Sequence, residues 1–275
     1  MKRAMLLISL VVSFSGELCS QAQAVPFRLQ RGYLIVVKCS IGGFPDLTGI
    51  VDTGVTESAI DKSLVERLAL ETRDDRATFL TREAPVWAVT IPSVQLGPLR
   101  TGPLAGIATD LSVLTRQFGI RPDILIGMDV LHRTNFLIDY KARQLIFTAV
   151  PSLAHAAPLL HDQRLALVEA LVMGKRMVLQ VDTGFQGLLL YGERPGTFGV
   201  RASRANQIVT PAHTLLAASL SAAEVRIGNW RTSSLEASVI DASLELAGFD
   251  GLIGPQALSA HRLAFDFENN QLSWD

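Results

Sequence analysis

The feature that most restricts this chain is that it is written twice. Asp52-Thr53-Gly54 follows the apolar run Leu47-Thr48-Gly49-Ile50-Val51, and Asp182-Thr183-Gly184 follows Met177-Val178-Leu179-Gln180-Val181. A second shared block closes each half. It reads Ile124-Leu125-Ile126-Gly127-Met128-Asp129-Val130-Leu131 in the first and Gly251-Leu252-Ile253-Gly254-Pro255-Gln256-Ala257-Leu258 in the second. The central glycine precedes an aspartate by 12 residues in both copies (139 − 127 and 266 − 254). From the tripeptide's aspartate to that glycine the separation is 75 residues in one half and 72 in the other (127 − 52 and 254 − 182). Two signals in one order at one spacing mark an internal duplication. Such a chain is expected to fold as two like lobes, residues 25–150 and 151–275, about a pseudo-twofold axis with a cleft between them. One carboxylate is a weak tool for hydrolysis and two sharing a proton are a strong one, so Asp52 and Asp182 are the candidate chemistry.

The local pattern is mostly strand. Gly32 to Ser40 is β-branched and aromatic, Gly42-Gly43 turns the chain, and Leu47 to Thr53 reads as a buried strand. Asp61 to Leu70 predicts a short amphipathic helix with Asp61 as N-cap. Strands are expected around Trp87 to Leu96 and Leu104 to Thr109, and a helical turn at Asp129 to Arg133. A closing pair follows at Asn135 to Tyr140 and Gln144 to Thr148. The second half repeats this with Leu165 to Met173, Met177 to Thr183, Ala223 to Ile227, a turn at Gly228-Asn229, Leu235 to Ile240 and its own closing pair. Val150 to Gln163, with two prolines and two histidines, reads as the connection between lobes, and Glu71 to Arg76 as a solvated loop. The fold class is therefore all-β with a few short helices.

Hydrophobic content of 48% and charged content of 19% fit a packed globule, and a net charge of −1 leaves no electrostatic footprint for nucleic acid or an anionic membrane. Lys2-Arg3, the apolar run Ala4 to Phe14 and Ala22-Gln23-Ala24 have the form of a secretory signal peptide cut after Ala24. The protein is thus expected in the periplasm or medium, without a membrane anchor. Cleavage removes Cys19, so Cys39 is the single thiol of the mature chain and is expected to be buried. The five histidines lack zinc spacings, and no metal or organic cofactor is expected. His155 and His161 read as solvated, Trp87 as a core residue in preference to a flap or cleft aromatic, and Asp139 and Asp266 as turn or hydrogen-bonding residues.

The two Asp-Thr-Gly tripeptides, each with its own apolar-Gly block, resemble the aspartic proteases, most closely their retroviral-type (retropepsin-like) bacterial branch. The resemblance covers nearly all of the chain after Ala24. It implies a two-lobed acid-protease β fold and an active site complete in a monomer, with Asp52 and Asp182 catalytic. It implies that the Thr53 and Thr183 hydroxyls bond across to the opposite loop, and that Gly54 and Gly184 aim backbone N–H groups at the carboxylates. Ile126-Gly127 and Ile253-Gly254 would support the loops from beneath. The implied activity is endopeptidase hydrolysis of a peptide or unfolded protein; the alternative is a peptide-binding module without catalysis on the same fold. Two departures motivate that alternative. Val55 and Phe185 stand where the family carries Ala, Ser or Thr, and the bulk of Phe185 implies a reshaped pocket. No glycine occurs between Gly54 and Gly97 or between Gly199 and Gly228, so any flap in Arg73 to Thr90 or Arg201 to Leu216 must be built without the family's glycine tip.

Overall fold

The computed structural model describes residues 23–80, 82–147, 150–161, 164–192, 205–241 and 248–275. These residues are predominantly β, with three short helices and three sheets among them. In the first half the hairpin Leu34–Ile41/Phe44–Val51 delivers Asp52, and strand Ile124–Ile126 runs parallel to its second arm, pairing Ile126 with Val51. The second half repeats the device. The hairpin Leu167–Val172/Lys175–Val181 delivers Asp182, and Gly251–Ile253 lies parallel to it, pairing Ile253 with Val181. These strands are apolar nearly throughout because they are covered on both faces: Ile35, Val51, Ile124, Ile126, Leu179, Val181 and Ile253 are all fully buried.

A six-stranded sheet joins the halves. At its centre Phe136–Asp139 pairs antiparallel with Arg262–Asp266, with Leu137 opposite Ala264. Their separation (264 − 137 = 127) equals that of the two motif glycines (254 − 127), so the pseudo-twofold axis passes through this pair. Phe136 stacks on Phe265 with centroids 4.7 Å apart, and the largest apolar cluster contains residues of both halves. Burial therefore joins the two halves of the chain through one core.

Several local expectations hold. The helix Lys62–Arg67 begins at Asp61, whose Oδ1 accepts from the Ser63 N–H at 3.0 Å, and buries Leu64 and Val65. Cys39 is buried and free. Asp139 caps its turn by accepting from the Ala142 N–H, and Asp266 does the same for Asn269. Other expectations need correction. The charged segment from Glu71 is not a loop: Thr72–Phe79 is a strand, paired throughout with Arg82–Ile91. Its side chains are mostly exposed, with Ala77 and Phe79 partly covered, because main-chain bonds supply the pairing. Trp87 lies on this hairpin and is 41% exposed, so it is not core. Within the connection, His155–Pro158 adds a strand to the C-terminal Gln271–Trp274, and the His155 ring packs on Trp274 rather than standing in water. Helix Ser112–Phe118 went unread because its mixed sequence shows no clean apolar stripe. The expected leader lies outside the described residues except for Gln23 and Ala24, which open a strand, Gln23–Pro26, paired with Gln144–Phe147.

Candidate active site

Each tripeptide leaves its strand at the sheet's end and turns back under the same set of contacts. The Asp52 N–H donates to the Ile126 carbonyl and the Asp182 N–H to the Ile253 carbonyl, both at 3.0 Å. The turns close with the Val55 N–H on the Asp52 carbonyl (3.4 Å) and the Phe185 N–H on the Asp182 carbonyl (3.3 Å). Phe185 therefore leaves its loop in the same conformation as the first. Its side chain packs into the apolar cluster of Leu189, Tyr191 and Leu252 and forms part of a cavity wall. The motif glycines sit where a side chain cannot: a Cβ on Gly127 would lie 2.8 Å from the Val55 carbonyl oxygen, and one on Gly254 only 2.1 Å from that of Phe185.

The loops are tied to each other through their threonines. Thr53 Oγ1 donates to the Val181 carbonyl at 2.7 Å and accepts from the Thr183 N–H at 3.0 Å. Thr183 Oγ1 donates to the Val51 carbonyl at 3.0 Å and accepts from the Thr53 N–H at 3.0 Å. Both threonines are fully buried, so each of these polar groups depends on its partner. The lock brings the aspartates face to face. Gly54 N–H donates to Asp52 Oδ1 at 2.9 Å, and Gly184 N–H to Asp182 Oδ1 at 2.7 Å. A Cβ on Gly54 would lie 2.5–2.6 Å from the carboxyl atoms of Asp182, and one on Gly184 2.6–2.8 Å from those of Asp52. The two carboxyl groups are within hydrogen-bonding reach of each other.

Burial raises both carboxyls above the ordinary carboxylate range. For Asp182 the neighbouring negative charge of Asp52 adds to the rise; for Asp52 the Gly54 N–H opposes it. A pair so placed holds a proton where an isolated aspartate would have lost it. Tyr33, at the cavity edge, is pushed up to about 12 by burial and then by the charges of Asp182 and Asp52, so it stays a neutral hydroxyl. Next to Asp52 opens a cavity of about 260 Å³, walled by Leu34, Ile50, Phe118 and Leu125 of the first half and by Phe185 and Ile208 of the second. Such a space accepts an apolar side chain, with one edge at the acid pair.

Two hairpins reach across to the opposite half, and neither has a glycine at its tip. In the first, Leu80 turns the chain with φ +57° and packs against the cluster of the second half that includes Tyr191 and Leu215. In the second, Ala205–Val209/Thr214–Ile227, Thr210 does the work of a glycine. Its hydroxyl accepts from the Ala212 and His213 N–H groups, and Gln207, Ile208, Val209 and Pro211 of this hairpin line the cavity against the first half. Each hairpin thus reaches the opposite wall of the cleft.

All ten residues singled out in the sequence converge here. Four further residues were missed. Asp123 and Asp250 each clamp a motif strand to an aspartate-bearing hairpin, accepting from the Thr48 N–H at 2.8 Å and the Val178 N–H at 2.6 Å. Their signal was available, since both stand four residues before the motif glycine (127 − 123 and 254 − 250). Asp129 holds the first loop alone, accepting from the Ser58 hydroxyl at 2.7 Å and its N–H at 3.1 Å. Gln180 breaks an otherwise apolar strand and donates to the Thr53 carbonyl at 3.2 Å.

Residues 37–130, about a third of the chain and including the first Asp-Thr-Gly, match a family model described as aspartyl protease. The match supports placing the chain with the aspartic proteases and supports a hydrolase that acts on peptides. A search of curated proteins returned no match.

Proposed function

We propose that this protein is an exported aspartic endopeptidase whose active site is complete in one chain, with Asp52 and Asp182 as its acid–base pair. The observation that carries this reading is the reciprocal threonine lock, which sets each carboxyl against the opposite loop's glycine. Two carboxyls so close cannot both ionise cheaply, so the pair keeps one proton. The ionised member takes a proton from an attacking water as the water oxygen bonds to the scissile carbonyl carbon. The protonated member donates to the carbonyl oxygen and neutralises the developing oxyanion, giving a tetrahedral diol. Collapse breaks the C–N bond as one carboxyl passes its proton to the leaving nitrogen and the other takes a proton from a diol hydroxyl, so the acid and amine leave and the pair again holds one proton. The apolar cavity beside Asp52 suits a side chain of an extended peptide or unfolded segment. The charged amino-terminal start, apolar run and Ala22-Gln23-Ala24 support export and cleavage near Ala24; amino-terminal sequencing of the protein recovered outside the cytoplasm tests this.

Incubation with an unstructured protein from acid to neutral pH should give cleavage that a statine-type inhibitor blocks. Asp52→Asn and Asp182→Asn should each fold normally and lose at least about a thousandfold in kcat/KM, because members of a shared acid–base unit fail together. Near-normal turnover by either variant would refute the shared site. A folded wild-type chain that binds peptides and cleaves none at any pH would establish the binding-module reading, which the glycine-free hairpins favour.

A further inference from the structure

We propose that Gln180 is a positioning residue that breaks the equivalence of the two aspartates, leaving the shared proton on Asp182 and the negative charge on Asp52. The inference rests on the reading of the two carboxyls as one acid–base pair. Duplication alone would make the pair symmetric: each carboxylate accepts from the glycine of its own loop, and each threonine bonds across in the same way. The position two residues before each aspartate differs. It is Ile50 in the first half and Gln180 in the second.

Gln180 is 2% exposed, and its side chain crosses to the other loop to meet the Thr53 carbonyl. A carbonyl can only accept, so the amide nitrogen is the end that faces it. That carbonyl belongs to the same peptide unit as the Gly54 N–H, which donates to Asp52. A peptide that accepts at its oxygen is polarised and donates more strongly at its nitrogen, by about 10–30% per bond. Gln180 thereby strengthens the hydrogen bond that stabilises charge on Asp52. Ile50 has no polar atom with which to do this for the Thr183–Gly184 peptide.

Burial pulls the same way. Asp182 is 8% exposed, whereas Asp52 faces the cavity. Burial and the charge of Asp52 push the Asp182 carboxyl well above the usual range. One contact opposes: the Phe185 N–H also leans on the Asp182 carboxyl, a smaller influence than burial.

The test is an NMR pH titration of the full chain that follows the Gly54 and Gly184 amide resonances, each a reporter of the carboxylate it donates to. In the wild-type protein Gly54 should move mainly in the lower of the pair's two steps and Gly184 mainly in the upper. In Gln180→Leu the lower step at Gly54 should rise by about 0.1–0.7 pH unit, the share of a charge-assisted hydrogen bond that polarisation supplies. The two glycines should then divide the steps more evenly. A merely structural role for Gln180 would lower stability without moving either step. The reverse order in the wild type, an equal division there, or an unmoved Gly54 step in the variant would each overturn the proposal. If Gln180→Leu does not fold, Gln180→Met carries the same comparison, and the wild-type order still decides. None of these readings needs turnover. A protein that cleaves nothing could still show the order, and an active protease lacking it would sink this assignment alone.

Discussion

Replacing Thr183 with valine preserves the side chain's shape and removes one hydroxyl from the lock between the loops. Two groups then lose their partners, the Val51 carbonyl and the Thr53 N–H. Val51, Thr53 and Thr183 are all fully buried, so water does not replace the lost bonds. Each orphaned group costs about 1–3 kcal/mol, giving roughly 2–6 kcal/mol for the substitution. Thr183→Ser is the control: it keeps both hydrogen bonds, loses one methyl group, and should cost about 1 kcal/mol. Against a total stability of about 5–15 kcal/mol, the two variants should be easy to separate. Urea unfolding followed by tryptophan fluorescence and far-UV circular dichroism supplies the measurement, with coincident transitions required before energies are compared. The valine variant should unfold at a markedly lower midpoint than the serine variant. In native buffer the serine variant should retain turnover and the valine variant lose most of it. Equal midpoints, or a valine cost below about 1 kcal/mol, would show that the cross-loop bonds are not what holds the aspartates together.

Three further outcomes are expected. Gly254→Ala should destabilise more than Gly127→Ala, because its Cβ meets a backbone oxygen at 2.1 Å rather than 2.8 Å; overpacking costs of about 3 and 1–2 kcal/mol in urea unfolding are expected, and the opposite order would count against the motif's supporting role. The aspartate pair should make folding stability pH-dependent: both carboxyls are raised in the folded state, which therefore binds more protons than the unfolded chain above the ordinary carboxylate value. Their contribution is complete at acid pH and declines as pH rises through the raised values. The difference between wild type and Asp182→Asn should follow that course, and a difference growing in the wild type's favour with rising pH would contradict the assignment. Cys39, whose thiol burial pushes up to about 12, should resist a disulfide exchange reagent near pH 8 until the protein is unfolded.

The duplicated pattern carried much of this architecture. Runs such as Leu47 to Val51 and Met177 to Val181 are apolar because both faces of those strands are covered, and sequence alone shows that. Thr72–Phe79 was not legible, since a hairpin held by main-chain bonds needs no apolar face and its charges mimic a loop. The exposure of Trp87 was hidden for the same reason. The glycine-free tips were visible as an absence of glycine. The device that replaces it, the Thr210 hydroxyl binding two backbone N–H groups, exists only once the turn is formed.

What the sequence determined by itself is therefore the set of parts: two aspartates, two threonines, four glycines and the spacings that repeat them. Their meaning as a pair was decided by packing. Residues about 130 positions apart touch only because Phe136–Asp139 and Arg262–Asp266 zip together about Leu137 and Ala264 and bring the two loops into register. The inequality between the halves is also tertiary. Gln180 is one polar letter in an apolar run until the fold brings its amide against the opposite loop, where a buried carbonyl has to be satisfied.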